Sequence, residues 1–122
     1  MVASYAAVYV GVARAAVDAA VEHVNARDLG HLPAVRARIG RADAAVAAAH
    51  LTVMEAARRV DENPGDAETN RWVWRAKLVA GTTAAEVAAS MLEAAGTSAM
   101  RRGHPLEPVS YTHLTLPTNR EV

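Results

Sequence analysis

The stretch PAVRARIGRADAAVAAAHLTVMEAARRV, residues 33–60, decides the fold. Its apolar positions Val35, Ile39, Ala42, Val46, Ala49, Val53, Ala56 and Val60 advance in unbroken alternating steps of four and three. That spacing follows the α-helical repeat and gathers these side chains into one seam facing neighbouring helices. Arg36, Arg41, Asp43, Thr52, Glu55 and Arg59 fall off the seam. Pro33 stands in the first turn, where a missing N–H costs nothing, so a buried helix is expected over residues 33–61.

Upstream, Tyr5, Val8, Tyr9, Val12, Ala16 and Ala19 recur at helical steps, with Gly11, Arg14, Asp18, Glu22 and Asn25 opposite. This predicts an amphipathic helix over 2–27 with the tyrosine face inward. Asp28, Gly30 and Pro33 interrupt it. Downstream, DENPGDAETN (61–70) reads as a turn, with Asp66 as N-cap of a third helix and Glu68 near the positive end of its dipole. Trp72, Ala76, Val79, Thr83, Val87, Met91 and Ala94 continue that helix to about 96, where Gly96 is a suitable stop. Trp72 and Trp74 point about 200° apart, so one belongs to the core and the other to a partner surface. The fold class is therefore all-α: an antiparallel bundle of three long helices with an irregular C-terminal tail.

Composition agrees with one such domain in 122 residues. Apolar residues make up 52% but aromatics only 4%, with no Phe, so the core is built largely from alanine, the best helix former. Thirteen basic and thirteen acidic residues cancel, which argues against a nucleic-acid partner. The absence of cysteine leaves no disulfide framework or thiolate metal site and suits a cytoplasmic location. The apolar N-terminus lacks a basic leader and carries Arg14 and Asp18, so it reads as a core helix rather than a signal peptide or membrane anchor.

Chemical motifs are scarce. A di-iron bundle requires Glu-x-x-His pairs, and no glutamate here has a histidine three residues on. His-Glu-x-x-His, Walker and Gly-x-Gly-x-x-Gly signatures are absent, and Ser4, Ser90 and Ser98 have no base nearby in sequence. No catalytic residue and no metal ligand is assigned. His23, His50 and His104 read as solvated or hydrogen-bonded helix-shoulder residues. Arg36, Arg38 and Arg41, with Arg58 and Arg59, read as a solvated face rather than a phosphate site, because acids lie among them.

The runs YVGVARAAVDAAVEHV (9–24), LPAVRARIGRADAAVAAAHLTVMEAARRV (32–60) and WRAKLVAGTTAAEVAASMLEAAGTSAMRRGHPLE (74–107) resemble the C-terminal helical domain of the acyl-CoA dehydrogenase superfamily. The likeness spans about residues 2–107. The loop ARDLGHLP (26–33) and Glu93-Ala94-Ala95-Gly96-Thr97 depart from the flavin-contacting signatures of fatty-acyl dehydrogenases. They are more similar to the branch that also holds flavin-dependent monooxygenases. The resemblance implies a fragment of a flavin-dependent oxidoreductase that acts on the CH–CH bond of an acyl thioester. FAD, or FMN, would bind in the intact parent and would not be retained by this piece alone. An N-terminal helical domain and a β-domain are the implied partners, in a homo-oligomer. The alternatives are a monooxygenase domain and a free-standing helical interaction module. Gly96 and Thr97 match positions that approach flavin, through backbone N–H groups; a glycine helix stop remains the other reading.

Residues 109–122, VSYTHLTLPTNREV, contain no alanine and three threonines, unlike the alanine-rich chain before them. Residues 109–118 resemble one frame of a transposon-type sequencing adapter, with Pro108 as the junction codon. The expected organisation is a helical bundle over 1–107 and a non-native tail over 108–122.

Overall fold

A computed structural model describes residues 2–95, with side chains from residue 4. Gly96, Thr97, His104 and the tail from Pro108 lie outside the described residues. Three helices account for nearly all of the described chain: α1 Val2–Ala26, α2 Pro33–Glu62 and α3 Ala67–Ala95. Short connections and the pairing of Arg38 with Glu93 and of Arg59 with Thr69 show that α2 and α3 run antiparallel. The expected all-α bundle is what forms, and both ends of α1 and α2 and the start of α3 lie within a residue of those read from the sequence. The stop expected at Gly96 falls outside the described residues.

Local chemistry sets each boundary. At the end of α1 the Leu29 N–H donates to the Val24 carbonyl at 3.0 Å and the Asp28 N–H to the Asn25 carbonyl at 3.2 Å. This is the Schellman pattern, which needs a left-handed residue, and Asp28 takes that place at φ 55°. Pro33 opens α2 after an extended Leu32, and the Arg36 N–H reaches the Leu32 carbonyl at 3.0 Å. Gly65, at φ +83°, turns the chain between α2 and α3. Asp66 caps α3 as expected, its Oδ2 accepting from the Glu68 N–H at 3.0 Å.

Alanine forms the centre of the bundle. Twelve of the nineteen buried apolar residues among those described are Ala, six are Val and one is Met91. Small side chains let the helix backbones approach closely, and α3 packs on both α1 and α2 more extensively than those two pack on each other. In α2 the seam from Ala42 to Ala56 is buried as expected, but its ends open: Val35 and Ile39 are half-buried and Val60 is exposed.

Two faces differ from the sequence reading. In α1 the tyrosine face is outside, with Tyr5 and Val8 each 61% exposed, while Ala6, Val10, Ala13, Ala16, Val17, Ala20 and Val24 are buried. The buried line is turned from the expected one, sharing Ala16 with it, and its smaller side chains fit the close spacing of an alanine core. In α3 the buried line rotates slightly, so that Ala80 and Ala84 lie inside and Val79 and Thr83 are half-buried.

The two tryptophans divide as expected. Trp74 is 60% exposed, and Trp72 packs against the core. The Trp72 ring has the guanidinium of Arg59 at 5.1 Å and that of Arg75 at 5.0 Å, within cation–π range, while its buried indole N–H has no hydrogen-bond partner.

Candidate functional site

The end of the bundle where α3 finishes is built from the first turns of α2 and the last turns of α1 and α3. Arg38, in the second turn of α2, donates through Nη1 to Glu93 Oε1 at 2.6 Å and reaches Ser90 Oγ at 3.4 Å. Ser90 and Glu93 are three apart and therefore neighbours on one face of α3. Nearby, Arg36 Nη1 donates to the Gly30 carbonyl at 3.4 Å, which ties the α1–α2 connection to the same end of α2. Of the two residues that the resemblance assigns to flavin, Gly96 and Thr97, neither is described; the last turn that leads to them is.

A cavity of about 460 Å³ opens between α1 and α2, floored by Val21, Val24 and Ile39 and rimmed by Asp18, Asn25 and Arg36. Arg14 and Asp43 also line it and join across it. A second cavity of about 490 Å³ continues along the same two helices and is walled by Val10, Gly11, His50 and Met54. Neither holds the constellation of a nucleophile and a base, or a ligand set. Among the described residues no three His, Cys, Asp or Glu side chains come together as a metal site. His50 is exposed and His23 half-buried.

Arg38, Arg58 and Arg59 are in ion pairs, and Arg36 bonds the Gly30 carbonyl. Arg58 and Arg59 both grip Glu55, at 2.6 and 2.7 Å, and Arg58 also holds Glu62 at 2.8 Å. Hydrogen bonds from Arg58 and then Arg59 hold the Glu55 carboxyl down to about 2. The same carboxylates raise Arg58 above its usual value. These side chains are thus engaged with acids one helical turn away, as a solvated face would be. Two inter-helix ion pairs escaped the sequence reading: Arg14 with Asp43, twenty-nine residues apart, and Arg38 with Glu93, fifty-five apart. Neither leaves a local signal, because each joins residues on different helices.

The helix Ser4–Ala26 is long and apolar enough to cross a membrane by length and composition. In the bundle it buries one flank against α2 and α3.

Residues 3–108 match the family described as acyl-CoA dehydrogenase, C-terminal domain. The match covers most of the chain, and the chain belongs to this family. Intact members of the family typically bind FAD. No curated protein and no solved structure matches the chain.

The described residues next to Gly96 offer no group that would hold a phosphate. Ala95 is buried in the core, Ala94 is half-buried, neither side chain can donate a hydrogen bond, and the guanidinium of Arg38 is already occupied by Glu93. The diphosphate of a flavin would need donors from outside the described residues.

Proposed function

We propose that this chain acts as the C-terminal helical bundle of a flavin-dependent oxidoreductase, forming one wall of the flavin site and contributing subunit contacts in a cytoplasmic homo-oligomer. The family match over residues 3–108 carries this reading. Bound FAD would supply the electron acceptor for oxidation of a CH–CH bond in an acyl thioester. The bundle itself contributes position: α3 carries the chain to Gly96 and Thr97, the residues that family likeness assigns to the ring, while an N-terminal helical domain and a β-domain supply the rest of the site. The altered segments ARDLGHLP and Glu93–Thr97 favour a second reading within the same family likeness, in which reduced flavin serves a monooxygenase.

Gly96→Val in the intact parent protein tests the assignment. A β-branched residue resists a left-handed backbone and fills the approach of a ligand, so flavin dissociation constants should rise. A lowered melting temperature with unchanged flavin affinity would reduce Gly96 to a helix stop and remove it from the site.

A further inference from the structure

We infer that the outer face shared by α1 and α3 is where a second copy of this chain docks, two bundles pairing face to face about a two-fold axis. The inference deepens the reading of the chain as a source of subunit contacts and rests on it. Geometry, area and charge carry it.

Geometry brings the exposed apolar side chains together. Ala7, Gly11, Arg14 and Asp18 line the furrow between α1 and α2, which fixes the flank of α1 that faces α2. At 3.6 residues per turn Tyr5, Tyr9 and Val12 lie on the opposite flank, with Val8 at its outer edge. On α3, Trp72 meets Arg59, and Ser90 and Glu93 meet Arg38, all of them contacts to α2. Trp74 and Ala85 are turned away from that flank, with Leu78 at the outer edge. In a three-helix bundle the flanks of α1 and α3 turned away from α2 border a single face. The bonds between Arg14 and Asp43 and between Thr69 and Arg59 also set α1 and α3 parallel, with Tyr5 level with Trp74 and Val8 with Leu78.

Area sets this face apart from ordinary surface. Of nine large apolar side chains exposed among the described residues, five are here: Tyr5 and Val8 at 61%, Tyr9 at 45%, Trp74 at 60% and Leu78 at 70%. Together they expose on the order of 600 Å² in each copy, the upper end of what the largest patch on a monomer presents. With the half-buried Val12, Ala85 and Ala89 beside them, the face approaches the ~800 Å² per partner of a standard specific interface. Tyrosine and tryptophan are also the side chains that anchor such interfaces.

Charge selects the occupant. From Tyr5 to Ala19 on this flank of α1, and from Trp74 to Leu92 on that of α3, the one charged side chain among the described residues is Lys77. Its amine lies over the Trp74 ring at 4.9 Å. Two identical faces therefore meet with no like-charge repulsion beyond one lysine from each. A strongly charged partner or an anionic membrane would find nothing here to pair with.

Sedimentation of this chain over a range of concentrations reads the dimer, with circular dichroism to confirm that each variant is helical. Trp74→Glu and Leu78→Glu, both at exposed positions, should each raise the dimer dissociation constant at least about thirtyfold. Leu51→Glu, exposed on the outer side of α2, should leave it within about twofold. The chain has no cysteine, so Ala85→Cys supplies a single thiol while keeping every anchoring side chain. A bismaleimide should join two copies through it and not through Leu51→Cys.

A dimer that responds equally to Leu51→Glu, or that ignores Trp74→Glu and Leu78→Glu, overturns the assignment of this face while leaving the chain a source of subunit contacts. A chain that sediments as a monomer at ~0.5 mM overturns both. Monomers that bind phosphatidylcholine vesicles, with binding lost in Trp74→Glu, overturn the inference in favour of a lipid surface.

Discussion

Arg14 of α1 meets Asp43 of α2 at 2.9 Å, bridging the furrow along which these two helices leave space between them. Both side chains are about half exposed, so their attraction is weakened by water and salt. Asp43→Asn should cost about 0.2–1 kcal/mol at low ionic strength and less at high salt. Urea titrations at two salt concentrations check this. A loss of several kcal/mol, independent of salt, would mean that the bridge holds the helices together.

Gly40 lines the same furrow, and a Cβ added there would meet nothing within 4 Å. Gly40→Ala should therefore gain helix propensity without a clash and raise stability by about 0.8–1 kcal/mol. Chemical denaturation gives the value. A destabilised variant would show that the furrow closes in solution.

Asp28 occupies the left-handed position that ends α1. Glycine avoids the steric cost of that conformation, so Asp28→Gly should stabilise the bundle by about 0.5–1 kcal/mol, less if the aspartate makes a local compensating bond. The measurement is the shift in urea midpoint at constant slope.

The buried alanines have no room to grow. Ala80, fully buried on α3, should resist enlargement: Ala80→Leu is expected to cost about 1–3 kcal/mol through overpacking. Met91, the largest fully buried side chain, should show the opposite failure, with Met91→Ala costing about 2–5 kcal/mol through lost contacts and a cavity. Comparing the two unfolding free energies tests whether the helices are as closely spaced as described.

Acid should weaken the α2 network in a defined window. The Glu55 carboxyl sits at about 2 in the folded chain against an ordinary 4.5, because Arg58 and Arg59 bond to its charged form. A lowered carboxyl pKa adds stability above the unfolded value, and that contribution disappears as pH falls through the folded value. The stability difference between wild type and Glu55→Gln should thus be constant near neutrality and vanish between about pH 4.5 and 2. Carbon NMR of the Glu55 carboxyl gives the midpoint directly.

The sequence carried the fold further than the site. The four–three spacing from Ala42 to Ala56 determined α2 because a single apolar stripe admits one buried face. In α1 two apolar lines that share Ala16 competed, and periodicity alone could not rank tyrosines against alanines. Helix spacing decided that contest, and spacing is a property of three helices together. The ends were readable where chemistry is local, as at Pro33 and Asp66. The Arg38–Glu93 contact depends on tertiary register across fifty-five residues, which local spacing does not encode. The flavin assignment of Gly96 and Thr97 came from family likeness, and those residues lie outside the described structure.

The alanine interior has a thermal consequence. The heat-capacity increment of unfolding follows newly hydrated apolar area, and a buried methyl contributes much less area than a leucine or an aromatic ring. With twelve alanines among nineteen buried apolar residues, the increment should fall below the usual ~12–15 cal/mol/K per residue. The curve of free energy against temperature then becomes shallow. Such a domain would have little reserve at its optimum, lose it gradually on warming, and resist cold unfolding better than a leucine-filled bundle of equal length.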